Sequence, residues 1–158
     1  MISAILLAAG QSTRMAPANK LLLPFRGTTL VEHMVDVLAR SRVGETIVVL
    51  GHQAERVRPL LAGRPIRIAE APDHAEGMAA SIRAGLACVS HHSAGAMVCL
   101  TDLPLLEPAE IDRLIAAFEG AGDKSIVIPR HQGQRGNPVL FSLRHREEVL
   151  ANRGAVGG

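Results

Sequence analysis

The stretch Ile2-Ser3-Ala4-Ile5-Leu6-Leu7-Ala8-Ala9-Gly10 decides the fold. It is an almost unbroken apolar run, as a strand buried on both faces requires. Outward from it, short apolar runs alternate with helical patterns. Thr28–Ala39 places Leu30, Val31, Met34, Val35, Val37 and Leu38 at helical spacing and predicts a helix. Thr46–Leu50 predicts a strand, Gln53–Leu61 a short helix, and Ile66–Ala69 a third strand. Glu76–Val89 reads as a helix and Ala96–Leu100 as the next buried strand. Pro108–Phe118 reads as a helix with proline in its first turn, where a missing N–H costs nothing. Ser125–Ile128 and Pro138–Phe141 complete the strands. The alternation predicts an α/β fold: a three-layer α-β-α sandwich around a mostly parallel, Rossmann-like sheet. Ligands of such sheets lie beyond the carboxyl ends of the strands. The segments after Ala8, Leu50, Ala69 and Leu100 are therefore where a site is to be sought.

The 158 residues are the size of one domain, and residues 1–158 are read as such. An apolar fraction of 47% suits a globular protein, and with three Phe, no Trp and no Tyr its core must be aliphatic. Lack of rings argues against binding single-stranded nucleic acid by base stacking, so no nucleic-acid partner is expected. The net charge of +2 demands no polyanion but leaves room for a local anion site. No apolar stretch is long enough to span a membrane. Ile2–Ala9 lacks the preceding basic residue of a signal peptide. A cytoplasmic protein is expected. Cys88 and Cys99 show no metal or redox spacing and read as small, buried apolar residues in a reducing compartment.

After the first strand, the loop continues as Gly10-Gln11-Ser12-Thr13-Arg14-Met15-Ala16-Pro17-Ala18-Asn19-Lys20. Small side chains let backbone N–H groups face a ligand, and such concave arrays bind anions. Arg14 can neutralise a triphosphate as a fork, and Lys20 as a point charge. No Gly-Lys-Ser/Thr follows, so this is not a Walker A loop. A single glycine also falls short of the dinucleotide fingerprint. From the residues alone the loop is either an anion cradle or an ordinary strand-to-helix connection with a surface arginine. Asp102 is likewise either a hard oxygen ligand for Mg²⁺ or a cap for the following helix. Gly77 and Ser81 open a helix whose free N–H groups would suit a phosphate or a base carbonyl. The other reading is a plain helix start with Met78 entering the core. Of His52, His74 and His131, only His52 follows a strand at the ligand edge and is kept as a candidate. His91 and His92 form a loop pair lacking the third ligand of a metal site. Arg144-His145-Arg146-Glu147-Glu148 reads as a solvated helix face.

Leu7-Ala8-Ala9-Gly10-x-Ser12-x-Arg14-Met15, followed by Lys20, resembles the signature of the nucleotidyltransferases. More narrowly, it resembles the molybdenum cofactor cytidylyltransferases and related guanylyltransferases of the MobA-like NTP transferase family. Leu50-Gly51-His52, Glu76-Gly77-Met78-Ala79-Ala80-Ser81, Thr101-Asp102-Leu103-Pro104 and Arg135-Gly136-Asn137-Pro138-Val139 resemble that family's further motifs, in order. The resemblance implies nucleotide binding by Leu7, Ala8, Ala9, Gly10, Ser12, Arg14, Lys20, His52, Gly77 and Ser81. It implies catalysis by Arg14, Lys20 and Asp102, Mg²⁺ on Asp102, and acceptor binding by Arg135, Gly136, Asn137 and Pro138. Ala8-Ala9 matches the cytidylyl enzymes, where the guanylyl enzymes carry Ala-Gly, and so implies CTP rather than another NTP. The implied reaction places a cytidylyl group on a molybdopterin-type phosphorylated acceptor and releases pyrophosphate. A molybdoenzyme or its chaperone would receive the product. Two departures are expected to matter. Ala16 stands where the signature has glycine. Relatives also continue beyond the segment that is Arg153-Gly154 here, into a strand and an Asp-rich motif. Two other readings stay open: a sugar or sugar-alcohol phosphate as acceptor, and a non-catalytic accessory protein that binds cofactor or nucleotide.

Overall fold

β1 (Ile2–Ala8) forms where its apolar run predicts and stands inside a six-stranded sheet. The computed structural model describes residues 1–10, 19–72, 76–123 and 126–151. After β1 come a 3₁₀ turn at Lys20–Leu22, a small hairpin of β2 (Pro24–Phe25) and β3 (Thr28–Thr29), helix α1 (Leu30–Ala39) and β4 (Glu45–Leu50). Then follow α2 (Ala54–Val57), a 3₁₀ turn at Arg58–Leu61, β5 (Arg67–Glu70), α3 (Met78–Ala87), β6 (Gly95–Leu100) and α4 (Pro108–Glu119). The chain continues with β7 (Ile126–Val127), a second hairpin of β8 (Arg130–His131) and β9 (Gln134–Arg135), β10 (Val139–Ser142) and α5 (Arg146–Ala151).

The strand order is β5-β4-β1-β6-β10-β7. β1, β4, β5 and β6 are parallel, and β10 is antiparallel to β6 and β7. β7 and β10 are joined only through the β8–β9 hairpin, and a parallel return needs a longer crossover. Strand side chains alternate between two cores. Ala4, Leu6, Val48, Leu50, Met97 and Cys99 join the core covered by α1 and α4. Ile5, Ile47, Val49, Ala96 and Val98 join the core covered by α3 and α5. Burial on both faces is why these strands read as continuous apolar runs. α3 lies close on the sheet because Gly85 has no side chain. A Cβ there would come within 2.4 Å of Ile5 Cγ2 and 2.9 Å of Val49 Cγ2. Among the described residues no helix is long and apolar enough to cross a membrane.

Several expectations need correction. The helix expected from Thr28 begins at Leu30, because Thr28 and Thr29 pair with β2. Thr29 and Glu32 then form a capping box, with Thr29 N–H to Glu32 Oε2 at 3.0 Å and Glu32 N–H to Thr29 Oγ1 at 3.4 Å. The helix expected over 53–61 breaks after Val57, where Pro59 lacks a donor and restricts its predecessor. The helix expected from Glu76 begins at Met78, because Gly77 holds φ +103°. Met78 does not enter the core: it is 46% exposed. Cys99 is buried as expected, and burial pushes its thiol up to about 12. Cys88 is only partly buried.

At the amino edge of the sheet, Glu45 ties three segments together. Its Oε1 accepts from Ser3 Oγ at 2.5 Å, the Ser90 N–H at 2.8 Å and Ser93 Oγ at 3.5 Å. Arg67 Nε lies 4.0 Å from Oε2. Burial alone would push this carboxyl up, but the bonds from Ser3 and Ser90, the Arg67 charge and the Ser93 bond together hold it below the usual range. A depressed carboxyl contributes stability when ionised, and that contribution is lost as pH falls through the folded-state value. Thermal melting is therefore expected to weaken on acidification below the ordinary carboxylate range. Glu45→Gln should cost about 1–3 kcal/mol at neutral pH and flatten that acid limb, as melting curves across pH would show.

Candidate active site

From β1 the chain winds through β4 to β5 on one flank, then returns to place β6 on the other flank of β1. The carboxyl ends of β1 and β6 thus face the switch-point crevice, where open α/β sheets bind ligands. Leu7 is partly buried, and Ala8 and Ala9 are buried, Ala9 within the α3-side core. The Ala9 carbonyl accepts the His52 N–H at 3.4 Å, which joins the loops after β1 and β4. Gly10 is exposed, and a Cβ there would meet no described residue within 4 Å. Ser12, Arg14 and Ala16 lie outside the described residues, as do His74 and Arg153-Gly154.

Lys20 re-enters the described chain at the 3₁₀ turn. The preceding Asn19 is 5% exposed, and its Oδ1 accepts the Leu21 N–H at 3.0 Å. Leu21 is anchored in the α1-side core. Lys20 is thereby fixed between two buried neighbours while its own side chain stays partly exposed. α1 runs from the carboxyl edge back to the start of β4, so this segment sits beside the crevice.

Asp102 follows buried Thr101 at the end of β6 and is exposed. Its alternative role, capping α4, is filled by others: the capping box is Glu107 with Glu110, whose Oε2 accepts the Glu107 N–H at 2.8 Å. No group of three or more His, Cys, Asp or Glu that could hold a metal ion occurs among the described residues. One exposed carboxylate suits a hard cation that draws its remaining ligands from phosphate and water, and does not suit an all-protein cage.

Gly77 caps α3 with no side-chain hydrogen bond, and Ser81 is buried one turn further on. The segment Arg135 to Pro138 reaches the same edge because β10 runs antiparallel to β6, with Val139 opposite Val98. There the Gly136 N–H donates to the Pro129 carbonyl at 2.8 Å, Asn137 is exposed and Pro138 is buried. The carboxyl edge thus gathers Ala8 to Gly10, Lys20, His52, Gly77, Ser81, Asp102 and residues 135–138. His91 and His92 lie at the opposite edge, lining a groove of about 590 Å³ with Arg67 and Cys88. Two residues of the edge were not singled out from the sequence: Asn19, whose signal is an Asx residue before a turn, and His33, a lone imidazole in an apolar helix stripe.

A small-residue loop, a lysine and a carboxylate around the switch point of an α/β sheet define a nucleotide-binding, phosphate-handling class of protein. The model of the MobA-like NTP transferase domain matches residues 4–158, and the chain belongs to that nucleotidyltransferase family. The chain is 32% identical over 155 residues to the nicotine blue oxidoreductase of Paenarthrobacter nicotinovorans, covering 95% of this chain and 75% of that protein. It is 32% identical over 129 residues to the bifunctional protein GlmU of Shouchella clausii, covering 81% of this chain but only 28% of GlmU. Among solved structures, Rv0371c from Mycobacterium tuberculosis H37Rv superposes with a TM-score of 0.85 at 29% identity, over 99% of this chain and 78% of that one. Its complex with manganese gives 0.82. A nucleotidyl transferase from Methanothermobacter gives 0.81 at 27% identity, over 95% of this chain and 75% of that one.

Proposed function

We propose that the protein transfers a cytidylyl group from CTP to a molybdopterin-type phosphorylated acceptor and releases pyrophosphate, acting as one cytoplasmic domain. The observation that supports this reading is the placement of Lys20, Asp102 and the Ala8–Gly10 backbone along the carboxyl edge of one sheet. An acceptor phosphate oxygen attacks the α-phosphorus, a new P–O bond forms, and the bond to the bridging oxygen of pyrophosphate breaks. No protein nucleophile is required, so positioning and charge stabilisation do the catalysis. Lys20, with Arg14, offsets charge on the α-phosphate and on the departing pyrophosphate. Asp102 would hold Mg²⁺, which supplies charge neutralisation on phosphate oxygens when bound. The manganese complex of Rv0371c supports a divalent ion in this fold. Gly77 and Ser81 contact the nucleotide, His52 borders it, and residues 135–138 hold the acceptor.

A second reading comes from the similarity to nicotine blue oxidoreductase: the same cleft could hold a nucleotide-containing reductant. One assay separates the readings. Pyrophosphate release is followed in Mg²⁺ with CTP, GTP or ATP against molybdopterin, sugar phosphates and sugar-alcohol phosphates, beside NADH and NADPH oxidation with dye acceptors. CTP- and molybdopterin-dependent release is the expected result. Release with a sugar phosphate would change the acceptor, and reductant oxidation without release would favour the second reading. Saturable CTP binding with neither activity would make the protein an accessory.

A further inference from the structure

We infer that His33 is a positioning residue, which fixes the loop carrying Asp102 against the segment carrying Lys20 and so tunes the site's metal affinity. The inference rests on the reading of Asp102 as a Mg²⁺ ligand. His33 lies in the first turn of α1, 8% exposed, among the buried residues Leu30, Val31 and Met34. A buried imidazole needs a hydrogen-bond partner, whereas an aliphatic side chain would bury there at no polar cost. Its Nε2 donates to the Pro104 carbonyl at 2.9 Å. A carbonyl only accepts, so the proton sits on Nε2.

The same ring packs on Phe25 of β2, with centroids 4.6 Å apart and planes tilted by 60°. Phe25 lies shortly after Lys20, and Pro104 shortly after Asp102. One side chain therefore touches both segments that carry the proposed charges. Between Leu100 and α4, the bond from His33 ties the loop to α1, while at its far end the Glu107 N–H donates to the Glu110 side chain of α4. The turn from the Leu106 N–H to the Leu103 carbonyl, at 3.1 Å, is internal to the loop. The ion pair of Arg26 with Glu107 is 3.9 Å long and more than half exposed, a geometry that contributes little. Residues that orient a metal ligand from outside the coordination sphere commonly change metal affinity when replaced.

The test compares His33→Leu, His33→Gln and Asp102→Asn. Mn²⁺ affinity is measured with CTP present, by water-proton relaxation, and folding is followed by thermal melting. His33→Leu is expected to weaken Mn²⁺ binding about tenfold. With metal saturating, KM for CTP should move less than about twofold, because the nucleotide contacts remain. His33→Gln retains an N–H donor and should recover most of the lost affinity. Unchanged Mn²⁺ affinity in His33→Leu would overturn the inference, as would a glutamine variant no better than the leucine one. If the leucine variant does not fold, the glutamine variant against wild type decides: Mn²⁺ affinity weakened tenfold despite the retained donor would overturn it. Wild-type Mn²⁺ affinity in Asp102→Asn would instead remove the metal reading itself.

Discussion

Asp102→Asn is expected to lower pyrophosphate release by about 10²–10³-fold while leaving the melting temperature almost unchanged, the scale seen when one transition-state charge contact is removed. Asparagine keeps the size of the side chain and one oxygen but loses the charge. A hard divalent ion that relies on a single protein carboxylate then binds poorly. The fold has little reason to respond. Asp102 is exposed, α4 is capped by Glu107 and Glu110, and the loop is held through buried Thr101 and the His33 bond to Pro104. Exposed substitutions away from such supports usually stay within about 0.5 kcal/mol. Titrating Mg²⁺ at saturating CTP provides the sharper test. The variant's activity should rise toward higher Mg²⁺, because added ion partly offsets the lost ligand. Turnover within about threefold of wild type at every Mg²⁺ concentration would dismiss Asp102 as the metal ligand.

The inner strands β1, β4 and β6 could be read from the chain because burial on both faces leaves an almost unbroken apolar run, as in Ile2–Ala8. The two small hairpins could not. Each has two-residue strands, too short to show a period, around an X-Gly turn. Arg26-Gly27 adopts φ +48° and +85°, and Gln132-Gly133 adopts +50° and +80°. Those doublets are the local signal, since both central positions need positive φ. The direction of β10 was also hidden, because it follows from the short β8–β9 connection rather than from its own residues. Within the candidate site, the edge placement of Lys20 and Asp102 was legible because each follows a buried strand or a small-residue loop, whereas the roles proposed for them come from the family motifs. His33 was not, since an imidazole in an apolar helix stripe looks the same whether it merely packs or holds a loop. Its partner Pro104 lies 71 residues away, a pairing that only the tertiary structure makes.

Lys20→Ala is expected to reduce turnover by about 10²–10³-fold, with Arg14→Ala acting in the same direction, because each removes a cation from developing phosphate charge. The turn that carries Lys20 has anchors of its own. It is held by the Asn19 side chain on the Leu21 N–H and by Leu21 in the core, neither of which involves the ammonium group. Melting should therefore stay near wild type for Lys20→Ala, whereas Asn19→Ala should cost about 1 kcal/mol by removing that cap. A lysine that acts mainly in the transition state lowers kcat more than it raises KM for CTP, and steady-state kinetics distinguish the two. Lys20→Arg keeps the charge but exchanges a compact ammonium for a planar fork, so an intermediate rate is expected. The double variant Lys20→Ala/Asp102→Asn should lose less than the product of the two single losses, because both groups act on the same phosphate charge. Strictly multiplicative losses would place the two residues at separate steps, and near-normal kcat in Lys20→Ala would remove Lys20 from the catalytic apparatus.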